Sequence, residues 1–181
     1  MKISIRIKIL LLIHFLFYKK PEESPLVKIG SKGKGVKNIL FFLPYQRKQA
    51  QVVAHLIKKN SNKKNYQIRY VVNNRGLFYY KEIPSEQIIT YDDDDVNYFG
   101  VIKTTNIIKK IKNNNYNALV DLTNSYDQTL SILSLKLNIP IKMGFKSPIS
   151  DRLYTVTIKP NKEGFIEENY SIIEKFLGLS N

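Results

Sequence analysis

The stretch Asn117-Ala118-Leu119-Val120-Asp121-Leu122-Thr123-Asn124-Ser125, continued by an apolar run to Leu137 and by Ile139-Pro140-Ile141-Lys142-Met143-Gly144-Phe145, decides the fold. Ala118 to Leu122 is the short, nearly continuous apolar run of a strand covered on both faces. Leu130, Leu133 and Leu137, broadened by Ile132 and Leu135, predict a core-packing helix, and Ile139 to Met143 a second strand. Strand, polar loop, helix and strand make half of an α/β nucleotide fold. Ligands of open parallel sheets sit at the carboxyl ends of the strands, which points to the loop Asp121 to Ser125.

The same alternation extends outward. Asn38 to Leu43 predicts an opening strand, and Ala50, Val53, Ala54 and Ile57 fall at i, i+3, i+4 and i+7 of a helix. Tyr66 to Val72 and Gln87 to Tyr91 read as strands, Leu77 to Lys81 as a short helix or irregular piece, and Thr104 to Lys112 as a helix. Beyond the central stretch come a loop Gly144 to Pro148, a strand Tyr154 to Ile158 and a docked helix carrying Ile166, Tyr170, Ile173 and Leu177. The expected class is α/β: a single three-layer Rossmann-like domain over residues 38–181 with a mostly parallel sheet. A chain of 181 residues has the length for one such domain and hardly two.

Residues 1–20 form a basic apolar leader, expected to be helical, and 21–37 a flexible Pro/Gly/Ser/Lys linker. The run Ile9 to Phe17, broken by His14, is too short to span a bilayer, which needs about 20 apolar residues. Lys2, Arg6, Lys8, Lys19 and Lys20 flank it, as in a helix lying on an anionic membrane surface. A helix packed on the domain and a signal or anchor are the alternatives. The net charge of +14 is concentrated here: residues 1–65 hold fifteen Lys/Arg against Glu22 and Glu23, and the remainder is nearly balanced at +1. With no cysteine there is no disulfide, thiolate nucleophile or Cys-based zinc site. The expected location is cytoplasmic, peripheral at the inner face of the membrane.

Single residues are read more plainly. Ser125-Tyr126-Asp127-Gln128 has the spacing of a capping box, which makes Ser125 a helix cap before a nucleophile. Asp92 to Asp95 lacks the alternation, central Gly and distal Glu of a calcium loop and reads as a solvated acidic turn. His14 and His55 read as structural, and Lys142 as a solvated strand-edge lysine. No metal site and no cofactor are expected.

Asn38 to Leu43 followed by a helix with Val52-Val53-Ala54, the strand-loop with Asp121-Leu122, a Leu-rich helix and a strand ending Lys142-Met143-Gly144-Phe145 resemble the N-terminal, acceptor-side half of heptosyltransferase-type glycosyltransferases, family 9. The chain is also similar to short bacterial proteins of the same half-length layout. The resemblance covers roughly residues 36–160. It implies a Rossmann-like domain that presents a sugar acceptor, in enzymes whose second domain binds the nucleotide sugar. It also implies a first-loop Gly-Asp pair whose carboxylate acts as base. Here that loop is Pro44-Tyr45-Gln46-Arg47-Lys48-Gln49, and protonated Arg and Lys side chains cannot take a hydroxyl proton at neutral pH.

The leading expectation is therefore a non-catalytic, membrane-associated binding domain for a sugar-phosphate or other anionic ligand. Arg47 and Lys48, with Gln46, would hold a phosphate at a helix N-terminus, and Asp121, Thr123 and Asn124 would receive sugar hydroxyls. A structural carboxylate is an equal reading of Asp121. One alternative is the acceptor half of a two-chain glycosyltransferase, with Asp121 as base. Another is a basic nucleic-acid binder, disfavoured because the positive charge is segregated into leader and linker.

Overall fold

A computed structural model describes residues 36–60, 66–160 and 166–179, together with Ile5, Lys8, Ile9 and Leu12. The order is β1 (Asn38–Phe42), α1 (Arg47–Asn60), β2 (Gln67–Asn73), β3 (Ile88–Tyr91), α2 (Thr105–Lys112) and β4 (Ala118–Asp121). Then follow α3 (Gln128–Lys136), β5 (Ile141–Phe145), α4 (Ser150–Leu153), β6 (Val156–Ile158) and α5 (Ile166–Leu177). A 3₁₀ segment, Asn74–Tyr80, follows β2. His14, most of the leader and most of the linker lie outside the described residues.

The six strands pair in the order β3-β2-β1-β4-β5-β6, and every ladder between them is parallel. The α/β reading with a Rossmann-like sheet is thus met. The two most apolar strands occupy the middle, where both faces must be covered. Phe41 and Phe42 show why: Phe41 packs with Val53, Tyr70 and Tyr170 on one face, and Phe42 with Ile107, Leu119 and Leu130 on the other. Helices α1 and α5 cover the first face, α2 and α3 the second, giving three layers.

Several local expectations shift, each for a physical reason. The cap of α3 is Asp127, which accepts from Leu130 N–H at 2.9 Å, so the Ser125 capping box does not form. Asp127 wins because a carboxylate at the cap position is two residues nearer the helix and takes the orphan donor directly. Strand β5 runs through Gly144 and Phe145, placed in a loop by the sequence reading. The strand expected from Tyr154 begins only at Val156, because the short helix α4 turns the chain just before it. Lys142 is not at an edge: β5 lies between β4 and β6, and its ammonium donates to the carbonyl of Ser134 at 2.6 Å. Burial pulls the Lys142 pKa down to about 8. In the acidic turn, Asp93 pairs with Arg75 and Asp95 accepts from Thr104.

Helix α5 is docked through a fully buried Tyr170, whose hydroxyl donates to the carbonyl of Leu122 at 3.0 Å. That carbonyl lies just past β4, beyond the ladder. Tyr170→Phe should cost about 1 kcal/mol through this hydrogen bond, and Tyr170→Ala about 3–5 kcal/mol through the cavity it leaves. Urea unfolding of both variants measures the two contributions. Equal losses would mean that the hydroxyl, and not the ring, holds the helix.

Candidate functional site at the sheet switch point

Strand order reverses between β1 and β4, so their connections diverge to opposite faces and leave a crevice beyond their carboxyl ends. On the β1 side, Tyr80 fixes the loop by donating to the carbonyl of Pro44 at 2.6 Å. Gly76 is needed there, because a Cβ would stand 2.7 Å from Tyr45 Cβ. On the β4 side, Asn124 N–H donates to Gln49 Oε1 at 3.0 Å and joins the two loops across the crevice.

Asp121 ends β4 and is buried, with both carboxylate oxygens engaged. Oδ1 accepts from Thr123 N–H at 2.9 Å and from the Thr123 hydroxyl at 2.6 Å; Oδ2 accepts from the Tyr154 hydroxyl at 2.6 Å. Tyr154 reaches it over Gly144, where any Cβ would lie 2.5 Å from the ring. Burial raises the Asp121 pKa to about 6; the bonds from Thr123 and Tyr154 oppose the rise, and the nearby Asp127 adds to it. Beside it is a space of about 20 Å³ bordered by Ser125, Asp127 and Lys146, room for no more than one water.

A larger polar cavity of about 250 Å³ opens beside it, lined chiefly by Tyr45, Asn73, Tyr91, Asp93, Asn97 and Asp127. These residues come from the ends of β2 and β3 and from the loops after β1, β3 and β4. Asp127 borders both spaces. Burial raises its pKa, and backbone bonds from Leu130 and Thr129 counter part of that rise. Burial likewise raises the Tyr91 pKa, helped by Asp127, Tyr45 and Asp121, so Tyr91 is a neutral hydroxyl. The 490 Å³ groove under α1, lined by Ile57, Tyr66, Ile68 and Tyr79 and rimmed by the Lys58–Glu82 ion pair, is roomier and mixed in polarity, but it borders the amino-terminal half of β2, away from the carboxyl ends of the strands. Convergent polar groups at the strand ends make the smaller cavity the candidate site.

Of the residues singled out in the sequence, Asp121, Thr123 and Asn124 are brought together, but around the small space. Gln46 is partly buried, and its Oε1 has no partner among the described residues. Arg47 and Lys48 are exposed in the first turn of α1 and line neither space. The structure adds Tyr45, Asn73, Tyr91, Asp93, Asn97 and Asp127. Asp93 stood in the acidic run read as a solvated turn, and Asp127 carried a local signal as an Asx three residues before an apolar helix position; the others meet through strand order.

With this geometry in hand, comparison with known structures is informative. The fold is similar to one half of a heptosyltransferase. The structure of E. coli heptosyltransferase WaaC with ADP aligns at a TM-score of 0.53 and 15% identity, covering 79% of this chain and 48% of that one. The same enzyme with ADP-2-deoxy-2-fluoro heptose aligns at 0.50 and 14%, covering 79% and 49%. The chain therefore spans about half the length of the structures it matches. No protein-family model matches the sequence, and neither does any curated protein.

The Asp121 carboxyl gives a pH signature. Its folded pKa lies above the ordinary 3.8, so the folded state holds the proton more tightly than the unfolded one. Its contribution to stability is full below about pH 4 and is lost as pH rises through about 6. The loss is about 3 kcal/mol at neutral pH. Thermal unfolding at pH 5 and pH 7 should show wild type gaining more on acidification than Asp121→Asn. An equal gain in both would show that the carboxylate is not buried as described.

Proposed function

We propose that the domain is a binding module for a hydroxyl-rich, sugar-like ligand at the carboxyl ends of β1 to β4, and that it does not transfer the sugar alone. The observation that carries this reading is the switch-point cavity, to which the Asp127 carboxylate, two amides and two tyrosines contribute, with Asp93 held by Arg75 and Asn73 at its border. Carboxylates and amides pair with vicinal hydroxyls, while tyrosine rings offer apolar faces with a polar tip. No lysine or arginine lines the cavity among the described residues, and Arg75 is already paired with Asp93. A sugar hydroxyl face therefore suits it better than the phosphate end of a sugar-phosphate. The first-loop stretch holds no carboxylate, and Asp121 has both oxygens occupied, so neither is placed to act as base.

Asp127 supports a second reading, the acceptor half of a two-chain glycosyltransferase. It borders the cavity, and burial raises its pKa in the direction a general base requires. In that case Asp127, and not Asp121, would take the acceptor proton.

Titration of labelled protein with methyl hexosides should shift the amide signals of Tyr45, Asn73, Tyr91 and Asn97. Asp127→Asn preserves the helix cap, since asparagine caps equally well, and should weaken binding by about tenfold through loss of a charge-assisted hydrogen bond. Arg47→Ala should leave affinity unchanged. Shifts confined to residues 47 and 48 would reject the cavity as the site. Nucleotide release from added nucleotide sugars, abolished by Asp127→Asn, would favour the second reading.

The leader's role at a membrane is part of the same proposal. Ile5, Ile9 and Leu12 are helical, exposed, and spaced i, i+4, i+7, an apolar stripe among basic residues. Among the described residues no helix is long and apolar enough to cross a membrane. Removing residues 1–35 should abolish sedimentation with anionic vesicles, and 0.5 M salt should weaken it in the intact chain. Undiminished sedimentation after the deletion would place the lipid contact elsewhere.

A further inference from the structure

Most large apolar side chains of the domain are buried, yet Tyr98 and Phe99 stand 71% and 48% exposed, side by side. Their rings meet edge to face, with centroids 5.7 Å apart. They crown a turn held by several hydrogen bonds. Asn97 N–H donates to the carbonyl of Val101 at 2.9 Å, and Gly100 N–H to that of Asn97 at 2.8 Å. The side-chain oxygen of Asn97 accepts from both Phe99 and Val101 N–H, each at 3.0 Å. Gly100 takes the left-handed conformation the turn needs, at φ +81°. Gln128, opening α3, donates to the carbonyl of Phe99 at 2.9 Å. Two exposed aromatic rings are thus carried on a backbone ordered before any ligand arrives, and preorganisation lowers the entropic cost of binding.

Asn97 also lines the switch-point cavity, so the turn and the cavity wall share a residue. Resting on the reading that this cavity holds a sugar, we propose that Tyr98 and Phe99 are an aromatic platform, an open ring face of which packs against a second sugar ring, which makes the ligand class an oligosaccharide. Apolar C–H faces of pyranose rings pack on aromatic faces, while their hydroxyls stay in water. The surroundings favour this over a membrane contact. Asp92, Asp93 and Asp94, exposed at the base of the same loop, would repel an anionic lipid surface.

The experiment is a calorimetric titration of the full chain with a panel of methyl hexosides and the matching disaccharides. Wild type should bind the fitting disaccharide about tenfold more tightly than its monosaccharide. Tyr98→Ala/Phe99→Ala should erase that gain and leave monosaccharide affinity unchanged. Tyr98→Phe should retain it. Both side chains are exposed, so the variants are expected to fold, and their circular dichroism checks this. A disaccharide no tighter than its monosaccharide, or a gain that survives the double variant, would overturn the platform while the cavity reading stands. If no sugar in the panel binds, the cavity reading fails and takes the platform with it. If the double variant loses vesicle sedimentation while sugar binding is untouched, the pair is a membrane contact and the proposal is wrong.

Discussion

The structure depends on one buried carboxylate. Asp121 ends the second central strand where the sheet changes direction, and it is kept in place by three donors, two from Thr123 and one from Tyr154. Burying a carboxylate without partners would cost several kcal/mol. Satisfying it requires that the loop after β4 curl back within two residues and that Tyr154 arrive from the far side of β5. Gly144 leaves room for that approach, and α4 sets where Tyr154 stands. A local electrostatic demand thereby ties β4, β5 and the connection to β6 into one unit, with the crevice at its border.

The same demand sets Asp121 apart from Asp127. A carboxylate with every oxygen engaged is a poor contact for a passing hydroxyl, whereas Asp127, which caps a helix, borders the 250 Å³ cavity. Two aspartates six residues apart thus divide the work: one builds the crevice and the other faces it.

Periodicity made the sheet legible, because strands buried on both faces leave uninterrupted apolar runs such as Ile39 to Leu43, and α1 a face of Ala50 and Val53. The polar features were less so. Ser125 had the right spacing for a cap, but spacing does not say which of two neighbouring oxygens reaches the orphan N–H groups, and Asp127 does. Lys142 read as an edge residue because an alternating pattern does not reveal which strands flank β5. The site was hidden for a related reason. Asn73, Tyr91 and Asp93 are distant in sequence from Asp127 and meet it only because β2 lies beside β1 and β3 beside β2. The order of strands is a long-range property that no local window carries.

Central β1 pairs with β2 on one side and β4 on the other, and Asn38 N–H donates to Asn117, 79 positions later. During synthesis at about 5–20 residues per second, β1 therefore waits roughly 4–16 s for its second neighbour. Through that interval Leu40 and Phe42 lack the β4 and α3 residues that later cover them. The nascent chain is most vulnerable to aggregation at this stage, and a chaperone acting on it would gain most by shielding the first strand until the fourth has been made.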